Sequence, residues 1–85
     1  MFIQYVYEID GRKRSRFFQS WSKANEELSK EYNSLLENHP GAKLVYNKDY
    51  FNRSKGYPVR EIMLLIENFV FRLSLINCYF EDDLI

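Results

Sequence analysis

The chain has little of what catalytic and metal-binding sites need. Its 85 residues include one cysteine, Cys78, and one histidine, His39. A structural zinc site takes about four Cys or His ligands, and nucleophilic catalysis needs a base beside the nucleophile. His39 stands next to Pro40, where a predicted helix ends, and is interpreted as a helix-end residue. The sequence therefore predicts a protein that is not an enzyme and has no metal site.

Glycine-rich and spaced acidic motifs are missing as well. The three glycines, Gly11, Gly41 and Gly56, are isolated, whereas a phosphate-binding loop places several glycines at fixed spacing before a helix. The acidic residues at 81–83 are contiguous and do not follow the spaced pattern of a calcium loop. We therefore expect no cofactor.

No segment has the composition of a membrane span or a secretory signal. The longest aliphatic run covers residues 62–66, far short of the roughly 20 apolar residues that a membrane helix requires. Residues 2–6 begin an apolar and aromatic segment without the basic region and cleavage site of a signal peptide. We therefore expect a soluble protein with no membrane partner. A single cysteine cannot close an internal disulfide, so we expect the protein in the reducing cytoplasm.

The chain also has no net charge, because its twelve basic and twelve acidic residues cancel. The total therefore demands neither a polyanion nor an anionic membrane as partner. The charges nevertheless come in blocks. Residues 1–23 carry +3, residues 24–39 carry −3, residues 40–60 carry +4 and residues 61–85 carry −4.

What the chain does have is a large share of aromatic residues. Hydrophobic residues make up 46% of the sequence and aromatic residues 18%. Disordered chains are poor in both, and large aromatic side chains are an efficient way to build the core of a small domain. Residues 1–85 are therefore predicted to form one domain, because the chain is too short for two stable cores.

The first half of the chain predicts a hairpin followed by a helix. Residues 2–9 and 12–20 read as strands around Asp10-Gly11, a strong signal for a type I′ turn. A helix is predicted to follow Ser20 or Ser22 as N-cap, with charged residues such as Glu27 and Glu31 on its solvated outer face. Its core face is predicted from spacings of three and four: Trp21, Ala24, Leu28, Tyr32, Leu35 and His39.

The second half predicts three more strands. Residues 43–51 alternate, with Leu44 and Tyr46 on one face, and residues 52–58 are a loop. Residues 59–66 and 69–80 are predicted as strands joined near Asn68. The alternative is that residues 59–77 are helical, because a continuous apolar run fits either structure.

These elements predict an α+β fold. Their order is ββαβββ, with about five strands in an antiparallel sheet and one helix packed on one face.

Two basic segments are the candidate binding site. The first follows the hairpin turn and contains Arg12, Lys13, Arg14 and Arg16. The second is the loop that contains Arg53, Lys55 and Tyr57. If the two segments lie together, they form a basic patch with Phe17 or Phe18 beside it. The simpler interpretation is a charged edge strand and an ordinary connection.

These features predict a small protein-binding module. In size, aromatic density and lack of catalytic motifs, the chain resembles the minimal proteins with which phages and mobile elements bind and block a host protein. That resemblance implies an inhibitor or accessory protein that acts by surface complementarity. Both a monomer and a homodimer are compatible with such a module. The alternative is a small nucleic-acid-binding domain that uses the basic hairpin and loop for phosphate contacts and base stacking.

Overall fold

The computed structural model describes residues 2–50 and 58–78 and confirms the predicted ββαβββ order. The elements are β1 (Phe2–Ile9), β2 (Arg12–Phe18), α1 (Trp21–Asn38), β3 (Lys43–Asp49), β4 (Pro58–Ile66) and β5 (Phe69–Cys78). The five strands form one antiparallel sheet in the order β2-β1-β5-β4-β3. Within these residues, no helix is both long enough and apolar enough to cross a membrane.

The β1–β2 hairpin closes on the predicted turn. Asp10 and Gly11 both have positive φ angles, 49° and 88°, and Ile9 pairs directly with Arg12. Two successive residues with positive φ are the signature of a type I′ turn, whose twist matches that of the flanking strands. The Asp10 amide also donates to the Val70 carbonyl at 2.9 Å, which ties the turn to β5.

The last third of the chain is a second hairpin, so the helical alternative for residues 59–77 is wrong. β4 and β5 pair along their length from Ile66–Phe69 to Pro58–Ile76. The sheet decides between the two interpretations, because every second residue of β5 faces the core. The residue with positive φ in the connecting turn is Glu67, at 57°, rather than its neighbour Asn68.

One helix covers one face of the sheet, as predicted. Helix α1 packs over β5, β1 and β2. Its residues Ala24, Leu28 and Leu35 are buried against inward-facing strand residues. The strand residues of this core are Ile3, Tyr5, Ile62, Leu64, Ile66, Leu73 and Leu75. These residues form one apolar layer between α1 and the sheet, and this layer holds the helix beside β2.

The helix is capped at both ends, and one residue of its predicted core face, Trp21, does not pack on the sheet. Ser20 is the N-cap and accepts from the Lys23 amide, while the His39 amide at the C-cap donates to the Leu35 carbonyl. Trp21 was predicted to pack on the sheet but is 43% exposed. Helical side chains lean toward the N-terminus, so a side chain at the first position leans past the helix end.

Strand β3 is regular except at one position. Leu44 pairs with Leu64 and Tyr46 with Met63, so Val45 is an extra residue, a β-bulge. Consecutive residues of β4 point to opposite faces, and therefore Leu44 and Tyr46 do so too. The prediction that these two side chains share a face was wrong because sequence alternation does not reveal an inserted residue. The strand ends at Asp49, and position 51 lies outside the described residues.

Candidate binding surface on strand β2

Strand β2 is one of the two edges of the sheet and is exposed along most of its length. Residues 12–17 are all exposed, and only Phe18 is half-buried. Its seven residues pair with β1 in an unbroken register from Ile9–Arg12 to Ile3–Phe18. A free edge without a bulge or a proline keeps the backbone geometry to which a further strand can pair.

The register decides which backbone groups of β2 face solvent. The two residues that flank a two-residue turn, Ile9 and Arg12, form a hydrogen-bonded pair, and such pairs recur at every second residue. Arg14 and Arg16 therefore also bond to β1. The amides and carbonyls that point away from the sheet are those of Lys13, Ser15 and Phe17.

The side chains of β2 divide between the two faces of the sheet. Arg12, Arg14 and Arg16, here called the arginine row, are opposite Ile9, Tyr7 and Tyr5 and share their face, which α1 covers. Lys13 and Ser15 are on the uncovered face. The three guanidinium groups thus follow one another along the helix side of the edge.

A groove runs between the arginine row and α1. Its narrower part, about 200 Å³, is lined by Tyr5, Tyr7, Arg14, Ser15, Arg16, Glu27 and Glu31. A second depression continues it toward Arg12. Glu27 and Glu31 were predicted on the solvated outer face of α1, but they are half-buried beside β2. The flank of α1, and not only its apolar stripe, therefore contributes to this surface.

The four cations of β2 differ in their partners. Arg16 forms a 3.0 Å ion pair with Glu27, and its guanidinium lies 5.1 Å from the centre of the Phe18 ring. Within the described part of the chain, Arg12, Lys13 and Arg14 form no ion pair. Arg16 therefore helps to fasten β2 to α1, and the other three cations of β2 have no such contact within residues 2–50 and 58–78.

The tyrosines beneath the groove are in an environment that disfavours ionisation. Burial, and then the negative charge of Glu31, raise the pKa values of Tyr5 and Tyr7. The Tyr5 hydroxyl is buried and makes no hydrogen bond to any residue among 2–50 and 58–78. Both phenols thus stay protonated and can donate a hydrogen bond at neutral pH.

Two exposed aromatic residues flank the end of β2. Phe17 is 61% exposed and Trp21 is 43% exposed. The sequence indicated Phe17 or Phe18 as the aromatic beside the cations, and Phe18 instead packs against the core. Trp21 was assigned to the core. Its place in the first helical turn, where a side chain leans outward, was the signal that could have identified it.

The second predicted segment, with Arg53, Lys55 and Tyr57, lies outside the described residues. The residues that flank this segment are described: the Tyr50 amide donates to the Val59 carbonyl at 2.8 Å, and Pro58 pairs with Ile76. Both flanks lie on the β3 side of the sheet, with β5 and β1 between them and β2. The joint basic patch remains a prediction.

A polar cluster on the uncovered face of the sheet holds its strands together. The Tyr46 hydroxyl donates to Glu61 at 2.5 Å, and the Ser74 hydroxyl donates to the other oxygen of that carboxylate at 3.3 Å. Arg72 and Glu8 form a 3.6 Å ion pair beside it. Because these contacts join residues of four strands, the cluster fastens β1, β3, β4 and β5 together.

The described residues contain no group of three or more His, Cys, Asp or Glu side chains that could hold a metal ion. Comparisons of the chain with protein-family models, with curated proteins and with solved structures find no match. The geometry of β2 and its surroundings is therefore what points to a function.

Proposed function

We propose that the protein is a non-enzymatic protein-binding module and that its binding surface is the exposed edge formed by β2. The observation that carries this proposal is that Arg12, Lys13 and Arg14 lie on a regular edge strand and form no ion pair with residues 2–50 or 58–78. Such a module would act as an inhibitor or accessory factor, because its surface offers contacts rather than chemistry.

The composition of the edge supports a protein partner. Arginine, tryptophan and other aromatic residues are enriched at the energetic centres of protein interfaces. Here Phe17 and Trp21 flank the cations, and the carboxylates of Glu27 and Glu31 lie on the other side of the arginine row. A surface that combines both signs of charge with exposed aromatics favours a protein surface of complementary pattern over a uniform polyanion.

A nucleic acid is the second candidate partner. The observation that favours it is the sequence of exposed cations followed by exposed Phe17 and Trp21, since phosphates bind cations and bases stack on aromatic rings. The two types of partner respond differently to salt. For single-stranded nucleic acid, each cation that no longer binds a phosphate reduces the slope of log K against log salt by about 0.7.

A capture experiment with matched variants tests the proposal. The wild-type chain, the variant R12A/K13A/R14A/R16A and the control variant K23A/K30A/K43A/K48A are used as bait in lysate of the source cells. The control removes four exposed cations outside β2. We expect a protein that wild-type and control retain, that the β2 variant loses, and that nuclease treatment does not release.

Two results contradict the proposal. Release of the partner by nuclease would favour the nucleic-acid alternative. Equal retention by the β2 variant, shown by its amide NMR spectrum to be folded, would remove β2 from the binding surface.

A further inference from the structure

The edge of β2 has the features needed to accept an added strand. The amides and carbonyls of Lys13, Ser15 and Phe17 point away from the sheet, and the register to β1 is unbroken. Main-chain hydrogen bonds to such an edge provide affinity, and alternate side chains of the added strand provide specificity. The backbone of β2 therefore favours binding by addition of a strand.

The charge of the edge selects the chemistry of the added strand. Cross-strand neighbours on one face are about 5 Å apart, and opposite charges at these positions stabilise the pair. The arginine row occupies every second position, so a strand with carboxylates at every second position places one beside each guanidinium. Arg12 and Arg14 have no ion-pair partner within the described part of the chain to compete for these carboxylates.

A second copy of β2 is disfavoured at this edge in the register that pairs all seven residues. Antiparallel pairing centred on Ser15 would place Arg14 of one copy opposite Arg16 of the other, twice in each dimer. Like charges directly opposite are destabilising. The row that attracts an acidic strand thus opposes pairing of β2 with itself in this register.

We infer that β2 binds an extended acidic segment of a partner protein by antiparallel strand addition, with glutamate or aspartate side chains at alternate positions beside Arg12 and Arg14. This inference rests on the proposed function and specifies its binding mode. The arginine row then lies between the carboxylates of the partner and the acidic side of the groove, where Glu27 and Glu31 line the part beside Arg14 and Arg16 and Glu31 also lines the part beside Arg12.

Antiparallel addition predicts which amides of the partner strand are used. The outward residues of β2 form the hydrogen-bonded pairs, so the residues opposite the arginine row stand at non-hydrogen-bonded positions. The acidic residues of the added strand consequently point their own amides away from β2. The intervening residues point theirs toward Lys13, Ser15 and Phe17.

Backbone methylation of a synthetic peptide tests this geometry. The probe is a capped peptide about as long as β2 that alternates glutamate with threonine, titrated into the full chain and followed by amide NMR. Methylation of the threonine amides should abolish binding, and methylation of the glutamate amides should leave it nearly unchanged. Equal effects of the two methylation patterns, or the reverse pattern, would overturn antiparallel addition.

Amide exchange in the full chain provides a second measurement on the same complex. The amides of Lys13, Ser15 and Phe17 should exchange rapidly in the free protein and slowly with the peptide bound. Those of Arg14 and Arg16, already bonded to β1, should be protected in both. Unchanged exchange at the three outward amides would contradict strand addition.

Charge exchange tests the selectivity of the edge. The variant R12E/R14E should bind the glutamate peptide about tenfold more weakly or worse, and should gain binding to a peptide with lysine in place of glutamate. The control K43E/K48E, on β3, should behave as wild type. A variant that still binds the glutamate peptide as well as wild type would overturn the assignment.

The two experiments distinguish failure of the binding mode from failure of the proposed function. If wild type binds none of the peptides while capture of the partner still depends on the β2 cations, strand addition is wrong and the binding surface stands. If capture does not depend on those cations, the proposed function fails and the binding mode fails with it.

Discussion

The two edges of the sheet solve the same physical problem in different ways. An exposed edge strand presents unpaired amides and carbonyls and is prone to pair with another chain. Strand β2 keeps a regular backbone and carries four cations, with no acidic residue among its seven. Strand β3 also has seven residues but is interrupted by the bulge at Val45, and its Leu44 and Val45 are 50% and 54% exposed.

Under the proposed binding mode, this difference explains why a partner strand would pair with β2 and not with β3. A bulge distorts the ladder and prevents regular pairing with any strand, whatever its charge. A row of like charges prevents pairing only with strands of the same sign. The bulge therefore protects β3 against strands in general, whereas the charges of β2 disfavour pairing with its own copy. The acidic strand that we propose would pair with β2.

The largest expected effect contrasts the core beneath α1 with the exposed β3 edge. Leu28 is fully buried on α1, and Leu28→Ala should lower the free energy of unfolding by about 2–5 kcal/mol through reduced burial and a residual cavity. Leu44→Ala on β3 should change it by no more than about 0.5 kcal/mol. Urea denaturation measures both. Similar values would show that β3 contributes to the core.

Removal of charge from β2 should create self-association. In R12T/R14T the like charges that oppose β2–β2 pairing are gone, and threonine favours strands. We expect sedimentation to show a concentration-dependent dimer. The matched variant K43T/K48T on β3 should stay as wild type, because its bulge remains. Self-association of both variants alike would mean that charge, and not the bulge, protects β3.

The contact that fastens β2 to α1 should be weak. Arg16 and Glu27 form an exposed ion pair, and a double-mutant cycle of R16A and E27A should give a coupling free energy of about 0.2–1 kcal/mol. High salt should reduce it further. A coupling well above this range would indicate that the pair is shielded from solvent and that β2 is held more rigidly than its exposure implies.

The hydrogen bond that fastens β3 to β4, between Tyr46 and Glu61, should appear as a raised pKa of the Tyr46 hydroxyl. Burial, and then its hydrogen bond to Glu61, raise the pKa of Tyr46 to about 12 from 10.0. The neutral phenol is therefore favoured in the folded state. Its contribution to stability is complete below pH 10 and is lost as the pH rises through about 12.

Alkaline titration of tyrosine absorbance, compared between wild type and Tyr46→Phe, measures this step. The difference between the two curves should be centred near pH 12. A difference centred near pH 10, the ordinary value for tyrosine, would show that Tyr46 is solvated like a free phenol.

Local features of this fold could be predicted from neighbouring residues. The Asp10-Gly11 turn needs two residues that tolerate positive φ, and the three- and four-residue spacing of Ala24, Leu28 and Leu35 matches one turn of a helix. The alternation within β5 favoured a strand over a helix for a similar reason, since each side of a sheet receives every second residue.

Positions that depend on contacts distant in sequence could not be predicted. The half-burial of Glu27 and Glu31 and the bulge at Val45 depend on how α1 and β4 lie against their neighbours. No local spacing encodes these contacts. The groove beside β2 was missed because its acidic wall comes from α1 and its basic wall from β2.

The sequence by itself determined the first four elements and the cluster of cations after the first turn, because propensity, period and turn chemistry act over a few residues. It left residues 59–77 open between two strands and a helix. Only the tertiary structure decided that β5 pairs with β1, from Phe2–Cys78 to Ile9–Phe71, which leaves β2 at the edge. That pairing joins the two ends of the described chain and depends on burial of a shared apolar face. It is the reason that the cations of β2 lie on a free backbone edge and not in the middle of the sheet.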